Sequence, residues 1–243
     1  MKDKLLRIIL PFFFWLSLWH ILSVIFNNNF LVPSIDSTLK ALWALLGTEG
    51  FYRSVLLSGL RVASGLITGC VLGVSLAILG HGISFIHTLI SPIVSIIRST
   101  PVASFVVILW VLLSGDMLSI FIGFLMVFPI IWQSTFDAMN SIDKNLLEVA
   151  HVFEFSSSKK LKLVYLPVIK SFLVPSIVTS MGLAWKAEIA AEIIAYTKNS
   201  IGQSINDAKY NMDTPTVFAW TVVIVIFSLI LEKTTKRILG RLK

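Results

Sequence analysis

Residues 147–167, LEVAHVFEFSSSKKLKLVYLP, form a polar and charged island between two long apolar runs. Just before and within it, apolar residues recur at helical spacing and predict one apolar face, made of Leu146, Val149, Ala150 and Phe153. The opposite face carries Lys144, Glu148, His151 and Phe155. A short two-faced helix of this kind suits a membrane surface and can offer one face to a partner.

The ends of this predicted helix are marked by a capping residue and by an interruption. Asp143 is a suitable N-cap, because its carboxylate can accept a hydrogen bond from one of the free N–H groups of the first turn. Three serines at 156–158 interrupt the helical pattern. A basic run follows them, made of Lys159, Lys160 and Lys162.

The composition indicates a multispanning membrane protein. Hydrophobic residues make up 56% of the 243 residues and charged residues make up 14%. In soluble domains about half of the residues are hydrophobic and about a quarter are charged. The apolar runs reach about 20 residues, which favours spanning helices over the roughly ten-residue alternating strands of a barrel. Cys70 is the only cysteine, so neither a disulfide nor a cysteine metal site is available. The net charge of +7 follows membrane topology and does not indicate nucleic acid.

An all-α fold with six transmembrane helices is therefore predicted, with spans at about residues 8–26, 54–79, 89–113, 117–136, 168–195 and 216–231. The first span follows a basic leader and lacks the A-x-A-like cleavage site of a signal peptide, so we expect it to stay uncleaved. Pro101 and Pro129 should bend the third and fourth spans, because proline removes a backbone hydrogen bond.

The segments between the spans are short. Residues 37–46 read as an amphipathic piece, residues 80–87 and 114–116 as turns, and residues 196–215 as a loop. The second span carries small residues at four-residue intervals, which let another helix approach closely: Gly65, Gly69, Gly73 and Ala77. For this stripe, packing within the same chain is favoured over a seam between two copies.

The distribution of lysine and arginine orients the spans. With six spans, the termini and the island share one side, which carries Lys2, Lys4, Arg7, Lys144, Lys159, Lys160, Lys162, Lys170, Lys233, Lys236, Arg237, Arg241 and Lys243. The other side carries only Lys40, Arg53, Lys198 and Lys209. Since cytoplasmic loops are enriched in basic residues, the island and both termini are predicted to be cytoplasmic.

Several charges fall inside the predicted spans, where each is costly unless it is paired or hydrated: Arg61, Arg98, Lys186, Glu188 and Glu192. Glu188 and Glu192 lie four residues apart on the helical face that also carries Met181 and Trp185, and Lys186 points away from that face. We expect Arg98 to pair with Glu188 or Glu192 and to support a translocation pathway. Lowered transport on replacement of Glu192 by glutamine would support this.

No motif for enzyme chemistry accompanies these features. The chain has no G-x-x-x-x-G-K-[ST] loop for nucleotide phosphates and no H-E-x-x-H zinc motif. Its four histidines are scattered, and no pair of intramembrane aspartates faces one another as in a membrane protease. The sequence therefore predicts neither an enzyme nor a metal, cofactor or nucleotide site in this chain.

The island resembles the EAA loop of the permease subunits of ATP-driven, binding-protein-dependent importers, through Glu148-Val-Ala150 and the later Leu166-Pro167. The wider chain is similar to the nitrate, sulfonate and taurine branch of these permeases. The residues that carry this similarity are Leu31-Val-Pro-Ser34, Ser58-Gly-Leu-Arg61, Arg98-Ser-Thr-Pro101 and Gly182-Leu-Ala-Trp-Lys-Ala-Glu-Ile-Ala-Ala-Glu192, in the expected order. The similarity as a whole covers about residues 31–239.

Two positions depart from the pattern of this branch. Val149 stands where an alanine is usual, and Glu154 stands where a glycine usually turns the chain. We therefore expect the turn to shift towards the serines.

The resemblance implies a type I importer permease fold in the bacterial cytoplasmic membrane. It divides the chain into residues 1–52, a core of residues 53–236 with a coupling loop at 137–167, and a tail at 237–243. Two copies of the permease would form the pathway, two cytoplasmic subunits would bind ATP and magnesium, and an extracytoplasmic binding protein would deliver the solute. The residues implied in coupling are Glu148, Val149, Ala150, His151, Glu154, Phe155, Leu166 and Pro167, of which Glu148, His151 and Phe155 are the candidate contacts. Those implied in or near the pathway are Arg61, Arg98, Pro101, Trp185, Lys186, Glu188 and Glu192.

Two other classes of function remain open from the sequence. Intramembrane carboxylates also suit a channel or an ion-coupled transporter that works without an ATPase. A membrane-anchored scaffold is the third class, but it does not explain charges in several spans. The solute is also open among sulfonates, nitrate, taurine and aminopyrimidines.

Overall fold

The computed structural model describes residues 2–240, with the side chains of all of these except 2–8, 12 and 157. Every regular element in this part of the chain is helical: α1 (Lys2–Phe26), α2 (Ile35–Leu46), α3 (Glu49–Gly82), α4 (Ser84–Ser99), α5 (Val102–Trp110), α6 (Asp116–Asn140), α7 (Lys144–Val152), α8 (Ser157–Lys160), a π-turn (Leu161–Tyr165), α9 (Leu166–Ala195), α10 (Ile201–Tyr210) and α11 (Thr214–Gly240). Arg241 and Lys243 of the predicted basic tail lie outside the described residues.

Five helical stretches of the described chain are long and apolar enough to cross a membrane. They contain α1, α3, α6, α9 and α11, and they match five of the six predicted spans. The predicted third span is instead a pair of helices, α4 and α5, bent by 104°. If this bent pair counts as one span, the total is six.

The bend between α4 and α5 corrects the prediction of a single kinked helix. Proline disfavours helical geometry in the residue before it, and Thr100 is extended, with φ −89° and ψ 132°. Pro101 is itself non-helical, with ψ 135°. Two consecutive residues therefore leave the helical region, so the chain turns a corner instead of kinking.

The connections between spans are more helical than the sequence suggested. The turn predicted at 80–87 shrinks to Ile83, since α3 ends at Gly82 and α4 begins at Ser84. The predicted loop at 196–215 contains α10, which Ser200 caps by accepting a bond from the Gln203 N–H. The last span also continues to Gly240 instead of ending near residue 231.

The small-residue stripe of α3 packs against α6 within the same chain, as favoured from the sequence. A Cβ added at Gly65 would lie 2.9 Å from the carbonyl oxygen of Ile120, and one at Gly69 would lie 2.6 Å from the Cβ of Val127. Gly73 meets α6 one turn further on, at Ile131. Only a residue without a side chain fits these positions, so the stripe sets the close approach of α3 and α6.

The buried centre of the fold lies where α3, α6 and α9 meet. Trp132 on α6 and Trp185 on α9 are each 1% exposed, and the Trp185 Nε1–H donates a bond of 3.1 Å to the carbonyl oxygen of Ile224 on α11. This bond joins α11 to the central helices. The spans α3, α6 and α9 thus form a fixed frame for the charged side chains described next.

Candidate functional site

The island folds as the short helix α7 followed by a tight reversal. Asp143 caps the helix, since its carboxylate accepts a 2.9 Å bond from the Asn145 N–H, as predicted. The inner side of α7 is held by a small apolar cluster, in which Ala150 is 2% exposed and packs with Ile142 and Val164. Leu147 and Phe155 pack against this cluster. The helix is therefore fixed to the start of the following span.

The outward face of α7 is more apolar than the predicted contact face. Val152 and Phe153 are 76% and 71% exposed, and Leu146 and Val149 are also exposed. Of the four apolar residues at helical spacing, only Ala150 is buried. Glu148 and His151 are exposed as expected.

Phe155 does not belong with these outward residues. Its ring packs on the anchoring cluster, and the Lys159 ammonium lies 4.2 Å from the ring centre. The prediction of Phe155 as an outward contact is therefore wrong. The reason is that the chain reverses at Glu154, so the helix ends before Phe155 and its periodicity no longer determines which way that side chain faces.

Glu154 makes the reversal at the position where a glycine is usual. It has φ +48°, its N–H bonds the His151 carbonyl, and the next N–H, of Phe155, bonds the Ala150 carbonyl at 2.9 Å. This pair of bonds is the Schellman arrangement, whose left-handed residue is most often glycine. The expectation that the turn shifts towards the serines is wrong, because these two backbone bonds hold it at residue 154.

The segment after the serines is helical through to the fifth span. One apolar helical stretch runs over Ser158–Ala195, and a π-turn at Leu161–Tyr165 lies within it. Pro167 has no N–H to donate, and at the end of the π-turn the Leu166 N–H bonds the Leu161 carbonyl. Leu166 and Pro167 therefore lie in the first turn of α9 and do not close a loop.

A buried charge cluster lies at the opposite end of α9 from α7. Glu192 is fully buried, and its carboxylate accepts bonds from Arg61 Nη1 at 2.8 Å, from Ser58 Oγ at 2.7 Å and from the Gly202 N–H at 3.2 Å. Arg61 and Ser58 belong to α3, whereas Gly202 belongs to α10. One carboxylate thus joins three helices.

Arg61 extends this cluster to α6 and to the segment before α10. Its Nη2 lies 2.7 Å from Asp116 Oδ1 and donates a 3.0 Å bond to the Lys198 carbonyl. The Arg61 side chain is 5% exposed, while that of Asp116 is 66% exposed. The guanidinium is therefore held by one buried and one exposed carboxylate.

Glu188 lies one turn before Glu192 and is also fully buried. Within the described part of the chain, neither of its carboxyl oxygens has a hydrogen-bond partner. Its carboxyl group occupies the space left by Gly123 on α6, where an added Cβ would lie 3.0 Å from Oε2. Glu188 therefore fills the crossing of α6 and α9 without joining the ion pairs of its neighbour.

The predicted pairing of Arg98 with Glu188 or Glu192 is wrong. Glu192 pairs with Arg61, and the exposed side chain of Arg98 forms no ion pair with any side chain that the structure describes. Arg98 lies in the last turn of α4, just before the corner at Thr100 and Pro101, and its side chain is exposed. Lys186 is exposed and points away from the buried face of α9, as predicted.

Three members of the cluster were not identified from the sequence: Ser58, Asp116 and Gly202. Ser58 precedes Arg61 by one helical turn, so helical spacing could have placed the two on one face. Asp116 was assigned to a turn, and its role as an arginine partner depends on contact between distant helices. No local signal marks Gly202, whose amide meets Glu192 only because α10 folds back on α9.

A family model described as binding-protein-dependent transport system inner membrane component matches residues 65–241 of the chain. Curated relatives include a putative ABC transporter permease protein of Methanocaldococcus jannaschii, 24% identical, over 96% of this chain and 88% of the relative. A taurine transport system permease protein of Escherichia coli is 22% identical over 88% of this chain and 80% of its own length. A bicarbonate transport system permease protein of Synechococcus elongatus is 29% identical, over 66% and 58% of the two chains.

Solved structures with a similar fold include chains of two transporters. A chain of the MetNI methionine ABC transporter, in an inward-facing conformation, superposes with a TM-score of 0.68 at 17% identity, over 80% of this chain and 96% of that one. A chain of a bacterial ABC transporter for import of the polysaccharide alginate gives a TM-score of 0.67 at 15% identity, over 99% and 96% of the two chains. At these identities the similarity concerns the fold.

Proposed function

The chain belongs to the family of binding-protein-dependent transport system inner membrane components, and on this basis we propose that it is the permease subunit of an ATP-driven importer of a small solute. It is a multi-pass membrane protein and a transport component. Hydrolysis of ATP with magnesium takes place on two partner subunits in the cytoplasm. An extracytoplasmic binding protein supplies the solute.

The observation that carries this proposal is the outward face of α7. Four apolar side chains, Leu146, Val149, Val152 and Phe153, are exposed on a short helix whose other side is anchored to the chain. An apolar helix face fits a groove on a partner, because docking removes that face from water. α7 is therefore the coupling helix, and the ATPase is its partner.

Glu148 and His151 lie beside this apolar face and are exposed to the same partner. In this arrangement the apolar residues supply the contact, and the two polar ones set its orientation. ATP-driven closure of the two ATPases displaces α7. Because α7 is fixed to the start of the helix that continues into α9, its displacement moves that span.

The basic residues on the α7 side support a cytoplasmic location for α7 and for both termini. Two identical permease copies make the pathway, each with its own coupling helix. The solute is a small compound of the sulfonate, nitrate, taurine or aminopyrimidine type. Relatives named for taurine and for bicarbonate transport support the choice of a small solute.

The test is binding of the ATPase to variants of α7. Val149→Asp places an unpaired charge in the docked face, which costs several kcal/mol, so the amount of copurified ATPase should fall at least about tenfold. Leu161→Asp is the matched control, because Leu161 is similarly exposed (51% against 46%) but lies outside α7. Equal retention of ATPase by both variants would contradict docking through α7.

Charge reversal at Glu148 tests coupling apart from docking. Glu148→Arg should retain the ATPase but lower the transport that accompanies each ATP hydrolysed. The measurement is solute uptake against phosphate release in proteoliposomes that contain the complex. Uptake and hydrolysis falling in proportion would indicate lost docking and no coupling role for Glu148.

A transporter driven by an ion gradient is the second candidate, and the buried carboxyl group of Glu188 is the observation that favours it. The two candidates differ in their need for the ATPase. Uptake by the purified chain alone, driven by a proton or sodium gradient, would support the second. Uptake that requires both ATP and the copurified ATPase supports the importer.

A further inference from the structure

Two cations in the spanning region remain outside the buried cluster. Arg98 and Lys186 are exposed, and neither forms an ion pair with any side chain that the structure describes. Glu188 and Glu192 lie on the buried side of α9 and do not reach the exposed side. The carboxylates nearest in sequence to Lys186 therefore do not pair with it.

Arg98 and Lys186 belong to one concave surface. Lys186 lines two open depressions, of about 600 Å³ and about 390 Å³, and Arg98 lines a third of about 310 Å³. Leu183 borders all three, while Val102 and Met126 border the second and third. These adjoining depressions, lined by the α4–α5 corner, α6, α9 and α11, form one hollow with a cation in the lining of each part.

The hollow contains one carboxylate among its lining residues. Glu232 on α11 lines the largest depression beside Lys186, but its carboxylate is bonded to Lys236, which lines the same depression. The lining carries three positive charges, on Arg98, Lys186 and Lys236, against this single negative charge. The hollow is therefore positive overall.

A lysine at the position of Lys186 is not suited to contact with lipid. It precedes Ala195, the last residue of α9, by about nine residues, which is about 14 Å along the helix axis. Lysines close to a helix end can extend to the membrane surface, but this one lies well inside the span. Intramembrane charges of this kind usually face a water-filled cavity or the interior of a bundle.

We propose that the hollow containing Arg98 and Lys186 is a wall of the translocation pathway and selects for solutes that carry negative charge. This rests on the proposed importer function. The two cations raise the local concentration of anions in the pathway and repel cations, since a low-dielectric wall strengthens the field of each charge. The corner at Thr100 and Pro101 places Arg98 in this wall.

The experiment measures thiol modification and does not require the solute to be known. In a Cys70→Ala background, which has no other cysteine, Lys186→Cys is introduced into the complex with its ATPase and binding protein. Two methanethiosulfonate reagents are compared, one with a sulfonate and one with a trimethylammonium group. Both should react, because the thiol lies in water, and the anionic reagent should react faster.

Arg98→Gln in the same variant tests the electrostatic part. Removing one positive charge from the lining of the same hollow should lower the ratio of anionic to cationic reaction rates by about threefold or more at low salt. High salt should reduce this difference. Ile67→Cys is the control, because Ile67 is 62% exposed on α3 away from its glycine stripe and should react with neither charged reagent.

The outcomes separate this inference from the importer function. If Lys186→Cys reacts with neither reagent while a membrane-permeant maleimide labels it, the site faces lipid and the inference is wrong. A rate ratio that Arg98→Gln leaves unchanged would also overturn charge selection. Stimulation of ATP hydrolysis by the binding protein in the Cys70→Ala parent reports on the importer function independently. Its absence would count against that function alone.

Discussion

The ion pair between Arg61 and Glu192 should be a main source of stability at the end of the fold that lies opposite to α7. Glu192 is fully buried, so replacing Arg61 with methionine leaves a carboxylate with one hydroxyl and one amide donor. Breaking a buried pair by removal of one partner costs about 3–5 kcal/mol. We expect the free energy of unfolding of Arg61→Met to fall by about this amount.

The exposed partner of Arg61 should matter much less. Asp116 is bonded to the same guanidinium at 2.7 Å, but its side chain is 66% exposed, so water replaces the lost bond when the pair is removed. Exposed ion pairs contribute about 0–1 kcal/mol. Asp116→Asn should therefore lower the free energy of unfolding by less than about 1 kcal/mol.

A double-mutant cycle isolates the pair. Glu192→Met alone removes the buried partner of the Arg61 guanidinium, but Asp116 and the Lys198 carbonyl still accept hydrogen bonds from it. The double variant removes both buried charges and should be more stable than the sum of the two single losses predicts, by about 2 kcal/mol or more. Unfolding in mixed detergent micelles, followed by fluorescence of the seven tryptophans, gives these values.

Lys186→Met is the matched control, since it removes an exposed charge from the same helix as Glu192. Its effect should stay within about 0.5 kcal/mol. If Arg61→Met is no more destabilising than this control, or if the two losses in the cycle simply add, the buried pair does not hold α3, α9 and α10 together.

Three further predictions concern single positions. Glu154→Gly should raise the free energy of unfolding by about 0.5–1 kcal/mol in the same assay, because glycine adopts φ +48° without strain, and ATPase copurification should be preserved; a loss of stability would contradict the left-handed turn. Gly202→Ala should lower the free energy of unfolding by about 1–3 kcal/mol, because the new Cβ would lie 2.5 Å from the backbone carbonyl carbon of Glu192. Gly182→Ala is the control and should leave the free energy of unfolding unchanged, because an added Cβ there has nothing within 4 Å. The Glu192→Gln variant should insert normally into the membrane but lower solute uptake by proteoliposomes, because the amide cannot replace the carboxylate in the ion pair. Unchanged uptake would show that this ion pair is not needed for transport.

Features with a local cause were predictable from the sequence. The apolar runs gave five of the spans, the cap at Asp143 followed from its side chain, and the glycine stripe followed from its four-residue period. The motif resemblance to importer permeases is confirmed by the family match and by the fold of the solved transporters. For the spans, the cap and the stripe, the deciding residues lie within one element.

Features that depend on contacts between elements were not predictable. Arg61 and Glu192 are 131 residues apart, and periodicity cannot choose between Arg61 and Arg98 as the partner. Phe155 looked like an outward contact because the helical period was extended past residue 154, where two backbone bonds end the helix. The corner before Pro101 likewise depends on packing of α5 against α6 and α9, which the proline alone does not specify.

The helix that contains α9 connects the two candidate sites. Its first part holds Val164 against Ala150 of α7, and its last part holds Glu192 against Arg61 and Gly202. Between them, Lys186 lines the hollow on the opposite side from Glu188. A displacement of α7 therefore acts on a helix that is fixed at its far end by a buried ion pair, and the hollow lies between the moved end and the fixed end. This arrangement predicts that weakening the pair at Glu192 and weakening the anchor at Ala150 both reduce solute uptake for each ATP hydrolysed, although the two residues lie at opposite ends of the span.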